Sequence, residues 1–266
     1  MGILRIEDLG IDQLQVYRAL TDREMLSATE ESGEKQIVVE SPKVIWRAIE
    51  AGFRPLSLLC EEKHISGDAA DIIAKFPDMP VYTAPRDVLK SLTGYTLTRG
   101  VLCAVKRPAL PRVEDILKDT GRVCVVYDVC DATNVGVIFR TAAALGFDAV
   151  LVSPKSCSPL NRRAVRVSMG AVFQIPWTET DDIMPVLADY GFRRIGMALR
   201  KESVTMHDYK TKKNDKYAIL LGSEGYGLPG EVIDECDDVV KIPMSHGVDS
   251  LNVGAAAAIA LWHFSR

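Results

Sequence analysis

No apolar run in this chain approaches the roughly 20 residues that a membrane-spanning helix requires. The first eight residues, Met1 to Asp8, place acids where a secretion signal has its apolar centre, and Ile6 stands where a myristoylation signal has Ser or Thr. A cytoplasmic protein without a membrane partner is the expectation. The six cysteines (Cys60, Cys103, Cys124, Cys130, Cys157 and Cys236) form no C-x-x-C pair and do not cluster with the four histidines. Zinc ligation and a disulfide framework are therefore not expected, and buried thiols in a reducing compartment are. No excess of positive charge exists either. The net charge is −4, with 15 basic and 16 acidic residues up to Arg112 and 17 and 20 after it. That balance argues against a nonspecific nucleic-acid binder, so any nucleic-acid surface must be a local patch. A Gly-Lys-Ser/Thr phosphate loop is missing, as are a Ser/His/Asp set and paired carboxylates at catalytic spacing.

What is present is a regular alternation of strand-like and helix-like segments. In the first part, Gln36 to Glu40, Pro55 to Cys60, Pro80 to Thr83 and Gly100 to Val105 read as strands. Pro42 to Ala51 reads as a helix with Ser41 as N-cap and Pro42 at its first position, and further helices are expected near Gly67 to Phe76 and Arg86 to Leu92. Residues 1–107 thus form a small α/β domain. The proline-bearing stretch from Lys106 to Arg112 reads as a connection, with a short helix from Val113 toward Thr120, so that residues 108–120 link the domains.

Residues 121–266 continue the alternation. Strands are expected at Val123 to Tyr127, Ala149 to Val152, Phe173 to Ile175, Arg194 to Ala198, Ala218 to Leu221 and Val239 to Ile242, with helices such as Val135 to Leu145 and Asp181 to Tyr190 between them. The pattern implies a mostly parallel sheet covered on both faces. In such a sheet, ligands meet the residues that follow the strands.

Three segments place polar residues and glycines there. The first is Asn134-Val135-Gly136 with Arg140, in which Asn134 reads as a helix cap and Gly136 permits close backbone approach. The second is Gly222-Ser223-Glu224-Gly225-Tyr226-Gly227. Its glycine order is G-x-x-G-x-G, the reverse of the dinucleotide fingerprint, which disfavours a nicotinamide-dependent oxidoreductase. The third runs from Ile242-Pro243-Met244 to Asp249-Ser250-Leu251-Asn252-Val253, with Ser250 as N-cap of an Ala-rich helix from Leu251 to Phe264. Taken singly, the first two are an ordinary capped helix with a surface arginine and a plain strand-to-helix turn. A fourth tract, Asn161-Arg162-Arg163 with Arg166-Val167-Ser168-Met169-Gly170-Ala171, makes the one local cluster of positive charge in this half. A solvated helix face and a ligand-facing patch explain it equally.

In this order, the segments resemble the SpoU (TrmH-type) family of RNA ribose methyltransferases in the knotted SPOUT class. The resemblance implies an α/β fold in which a trefoil-knotted, mostly parallel sheet domain follows a small α/β domain that binds the RNA substrate. The entry to that first domain's last strand, Thr98-Arg99-Gly100-Val101, is part of the likeness. The implied reaction is methyl transfer from S-adenosylmethionine to a ribose 2′-hydroxyl in rRNA or tRNA, with no metal. By the same resemblance Arg140, Asn134, Glu224 and Asn252 are catalytic, and Leu199, Gly222, Ile242, Met244 and Leu251 hold the methyl donor. Arg99, Arg162, Arg163 and Arg166 meet RNA, and the protein forms a homodimer through the knot region. A guanidinium keeps its proton at physiological pH, so Arg140 suits electrostatic stabilisation and phosphate clamping better than proton abstraction. Gly254 stands where the family usually has Ser. The alternative is a catalytically idle RNA- or ribosome-binding protein on the same fold, disfavoured because Asn134, Arg140, Glu224 and Asn252 are all intact.

Overall fold

The computed structural model describes residues 2–6, 10–18, 36–94, 100–212 and 215–265. The chain divides into two compact units, Met1–Ala109 and Leu110–Arg266. Arg99 lies outside the described residues.

The first unit holds β1 (Ile3–Arg5), β2 (Gln36–Glu40), β3 (Arg54–Cys60), β4 (Val81–Thr83) and β5 (Val101–Lys106), with α1 (Pro42–Glu50), α2 (Ala70–Lys75) and α3 (Arg86–Thr93). The sheet order is β1-β4-β3-β5-β2. The pairs β1/β4 and β3/β4 are parallel, whereas β5 runs antiparallel to both β2 and β3. Leu14, Tyr17, Leu59, Leu89 and Leu102 pack one core. The fully buried Tyr17 hydroxyl lies 2.7 Å from Ser57 Oγ and accepts from the Ala104 amide, so its polar end is satisfied.

Ser41 precedes α1 as expected but does not cap it. Its φ of 81° turns the hydroxyl away from the first helical amides. The buried Oγ has no hydrogen-bond partner among the described residues. The Ser41 amide instead donates to Val101 O, which ties the end of β2 to the sheet and sets that backbone angle.

The second unit contains α4 (Val113–Leu117), β6 (Arg122–Val126), α5 (Ala132–Ala144), β7 (Ala149–Val152), α6 (Arg162–Val167), β8 (Trp177–Glu179) and α7 (Ile183–Asp189). It continues with β9 (Phe192–Met197), β10 (Val204–Thr205), β11 (Lys216–Leu221), α8 (Gly230–Asp234), β12 (Asp238–Lys241) and α9 (Val253–Phe264). The sheet order is β10-β12-β9-β11-β6-β7-β8, and every pairing is parallel. The central strands are almost wholly buried, as in a sheet covered on both faces. Ile116 and Leu117 of α4 join the core of this unit, beside Val123, Leu151 and Leu220. The fold is the α/β class expected, with the parallel sheet following a small α/β unit.

One expected strand is absent. Ala171–Phe173 is a 3₁₀ turn, and Ala171 O accepts from the amides of Gln174 and Ile175. Met169 and Gly170 both take left-handed backbones, which end α6 and roll the chain directly into that turn. The strand begins only after Pro176, whose carbonyl accepts from Val150. A β-branched, aromatic run was overridden by the turn chemistry before it.

Candidate active site

Because all seven strands of the second unit are parallel, their carboxyl ends share one edge. The segments after β6, β9, β11 and β12 therefore lie side by side there, although they are far apart in sequence.

Helix α5 starts three residues earlier than the sequence pattern suggests. Asp131 is its N-cap, accepting at Oδ1 from the amides of Thr133 (2.7 Å) and Asn134 (3.0 Å). Those bonds, the Asn134 amide first, hold the Asp131 carboxyl below its usual range. Asn134 does not cap. Relieved of that role and buried, its side chain donates from Nδ2 to Glu224 Oε1 at 2.6 Å and accepts at Oδ1 from Asn252 Nδ2 at 2.9 Å.

Asn252 is the N-cap of α9, in place of Ser250. Its Oδ1 accepts from the amides of Gly254 (2.9 Å) and Ala255 (3.3 Å). Those backbone donors fix the orientation of both amides. Asn252 Oδ1 must accept, so Nδ2 donates to Asn134 Oδ1, Asn134 Nδ2 donates onward, and Glu224 receives as a carboxylate. A directional chain thus runs from the positive end of a twelve-residue helix to an exposed carboxylate. It joins the segments after β12, β6 and β11. Glu224 Oε2 has no hydrogen-bond partner among the described residues.

Two glycines set the helix packing behind this chain. A Cβ at Gly136 would stand 2.8 Å from Ala164 O and 2.9 Å from Val167 Cβ, so α5 and α6 touch through bare backbone. A Cβ at Gly254 would stand 2.9 Å from Val137 Cγ1. The glycine that departs from the family pattern is thus matched in this chain by Val137, which fills the space a side chain would need.

Beside Glu224 opens a cleft of about 530 Å³, lined from the segments after β9, β11 and β12 and from the start of α9. Leu199, Gly222, Ile242, Met244 and Leu251 all line it, as does Glu224. Leu199 and Leu251 keep 52% and 41% of their surface exposed, leaving apolar surface for a ligand to cover. The volume suits a cofactor-sized molecule. Gly222 closes the neck of the second segment, since its Cβ would lie 2.3 Å from Gly227 C and Leu228 N. Arg200 and Tyr226 also line the cleft and were not singled out from sequence. Arg200 pairs with Asp234 at 2.7 Å and ties the β9 segment to α8. Its position just past an apolar strand was the available signal.

Arg140 stands apart from the chain Asn252–Asn134–Glu224. It lies two turns into α5, exposed, with no hydrogen bond or ion pair among the described residues. Arg140 makes no hydrogen bond or ion pair with Glu224 within one chain. Glu224 is exposed, and its partner is Asn134. Arg162, Arg163 and Arg166 lie on the short helix α6, which Asn161 caps through the amides of Arg163 and Ala164. Arg163 adds a favourable charge to Asp131, so this basic helix lies next to the start of α5. Among the described residues, no three His, Cys, Asp or Glu side chains gather closely enough to hold a metal ion, and no helix is long and apolar enough to cross a membrane.

The chain is similar to several known proteins. An uncharacterized tRNA/rRNA methyltransferase of Mycobacterium bovis is 34% identical over 239 residues, covering 88% of this chain and 82% of that protein. A 23S rRNA (guanosine-2′-O-)-methyltransferase RlmB of Acinetobacter baylyi is 31% identical over 195 residues, or 70% of this chain and 78% of the relative. The crystal structure of an AdoMet-bound rRNA methyltransferase from Sinorhizobium meliloti superposes with a TM-score of 0.82 at 25% identity, covering 98% of this chain and 97% of the other. The family model described as the SpoU rRNA Methylase family matches residues 121–262, the span that carries the parallel sheet, the cleft and the hydrogen-bonded chain on its rim. The chain belongs to the SpoU rRNA methylase family.

Proposed function

We propose that this protein transfers a methyl group from S-adenosylmethionine to a ribose 2′-hydroxyl of structured RNA, either rRNA or tRNA. The observation that carries the reading is the convergence of Leu199, Gly222, Ile242, Met244 and Leu251 on one cleft whose rim bears Glu224. The RlmB relative and the AdoMet-bound neighbour support the same chemistry.

S-adenosylmethionine supplies an already electrophilic methyl group, so the protein has chiefly to align an oxygen with it. Exposed Leu199 and Leu251 cover its apolar surface, and strand-end backbone groups at Gly222, Ile242 and Met244 orient it. Asn252 and Asn134 hold the Glu224 carboxylate in one orientation, leaving Oε2 to accept from the ribose. Arg140 offers a fixed positive charge to a phosphate and to the 2′-oxygen as its proton leaves to phosphate or water. Arg162, Arg163 and Arg166 contact the RNA backbone, and Arg99 and the rest of the first unit bind substrate RNA. The tract from Ile242 into α9 is the knotted segment, and two copies pair through it. Half-exposed Ile259 and Trp262, three residues apart on α9, suit that contact. The protein works in the cytoplasm.

The test is methyl transfer from tritiated S-adenosylmethionine to ribosomal RNA and tRNA taken from cells lacking the gene, with cofactor affinity measured by calorimetry. Arg140→Ala should lower transfer by about 100-fold or more while cofactor affinity stays within twofold. Arg140→Lys should also fail, since a point charge does not reproduce a planar fork. Cofactor and RNA binding without transfer to any RNA would select the idle RNA-binding protein instead.

A further inference from the structure

One conspicuous side chain at the cleft has no part in the chemistry above. Tyr226 is 98% exposed, although an aromatic ring carries one of the larger apolar surfaces among the side chains. It lines the mouth of the cleft, two residues after Glu224.

The segment beneath it is closed and braced. Ser223 and Gly227 exchange backbone hydrogen bonds of 3.2 and 3.0 Å, and the Tyr226 amide donates to Ser223 Oγ at 3.3 Å. The ring is thus presented on a short, hydrogen-bonded loop and not on a loose one. The residues flanking Tyr226 are both glycines, and a Cβ at Gly225 or at Gly227 would meet nothing within 4 Å. Gly227 needs its glycine for a φ of +68°. Gly225 has no positive φ and no crowding, so neither backbone nor packing within the chain requires it. Its bare backbone leaves open space beside the ring.

We infer that Tyr226 is a stacking platform for an unpaired base of the RNA substrate at the mouth of the cleft. This rests on the methyltransferase reading above and adds a condition to it. A planar apolar face with room beside it and a carboxylate nearby suits a base, since every base has a π-face, whereas a phosphate needs a cation. A base in a duplex has both faces covered by its neighbours. The substrate class is therefore RNA whose nucleotide at this site is in a loop, bulge or single strand, or is drawn out of a helix.

The experiment uses the full chain, tritiated S-adenosylmethionine and ribosomal RNA and tRNA from cells lacking the gene. Tyr226→Ala should raise KM for RNA by about 10-fold or more, the range seen when a base-stacking aromatic is removed. Tyr226→Trp, which keeps a stacking face, should bring KM back to within about twofold. Calorimetric affinity for S-adenosylmethionine should be the same in all three proteins. Once the methylated nucleotide is mapped, a DNA oligonucleotide annealed across it should suppress transfer. A wild-type protein that transfers no methyl group overturns the functional reading and this inference with it. A working wild type matched in KM by Tyr226→Ala overturns the inference alone. So does a Tyr226→Ala defect confined to cofactor affinity, which would make the ring a cover for the methyl donor.

Discussion

The two units are both α/β, yet only one of them gathers its strand ends. In the first, β5 runs against β2 and β3, so strand ends are divided between two edges of the sheet. In the second, seven parallel strands deliver every carboxyl end to one edge. Asn134, Glu224 and Asn252 come from the segments after three different strands and still form one hydrogen-bonded chain there. Three glycines of the second unit show the close packing behind its site. Gly52 of the first unit, at φ +87°, has open space around it, whereas Gly136, Gly222 and Gly254 of the second have theirs filled by neighbours. Strand direction decides where a site can be built, and close packing behind it decides how firmly it is held.

The largest expected effect tests that packing. Gly222→Ala forces a methyl group onto the backbone of Gly227 and Leu228, which no side-chain rotation relieves. It should lower unfolding free energy by about 3 kcal/mol in urea titrations and abolish cofactor binding. The matched change in the first unit, Gly52→Ala, meets only backbone strain and should cost about 1 kcal/mol. Equal losses at the two sites would dissolve the contrast.

A smaller effect sharpens the account of the hydrogen-bonded chain. Asn134→Asp replaces the donor facing Glu224 with a second acceptor and a like charge. One carboxyl of that pair should then have a raised pKa in the folded state. A raised carboxyl pKa contributes stability when protonated and loses it as pH rises through the folded value. The variant should therefore be less stable than the parent by roughly 1–2 kcal/mol at pH 8, with the gap narrowing toward pH 5. A gap that stays constant with pH would mean that Glu224 has another partner in solution. In double-mutant cycles on transfer rate, Glu224→Gln should couple to Asn134→Ala and be close to additive with Arg140→Ala, because Arg140 touches neither residue within one chain.

The smallest change should be a gain. Ser41→Gly removes a side chain held at φ 81° together with its unpartnered buried hydroxyl. It should raise unfolding free energy by about 1 kcal/mol with transfer activity unaltered. A loss of stability would mean that the hydroxyl is satisfied in solution.

Much of this molecule is legible in its sequence. The alternation of strands and helices, the parallel sheet of the second unit and the positions of the three signature segments follow from apolar runs ended by polar residues and glycines. The errors lie at helix starts and in short elements such as Ile3–Arg5, Trp177–Glu179 and Val204–Thr205. Ser41, Asn134 and Ser250 are all good capping residues by type, but Asp131 and Asn252 cap α5 and α9 and no side chain caps α1. Several residues that could cap stand close together in these segments, and the choice among them depends on where packing starts each helix. That choice matters, because an Asn134 occupied as a cap could not bridge Asn252 and Glu224. Phe173 to Ile175 failed as a strand for a related reason, since two left-handed residues upstream had already committed the chain to a turn.

The sequence by itself determined which residues are available at the strand ends, because hydrophobic period and turn chemistry are local properties. Only the tertiary structure decided which of them meet. The strand order β12-β9-β11-β6 brings Asn134 beside Glu224, 90 residues away, and beside Asn252, 118 residues away. It also leaves Arg140 without a hydrogen-bond or ion-pair partner among the described residues and exposes Tyr226 at the cleft. Hydrogen bonds act over about 3 Å, and proximity at that scale is set by how parallel strands are ordered in the sheet.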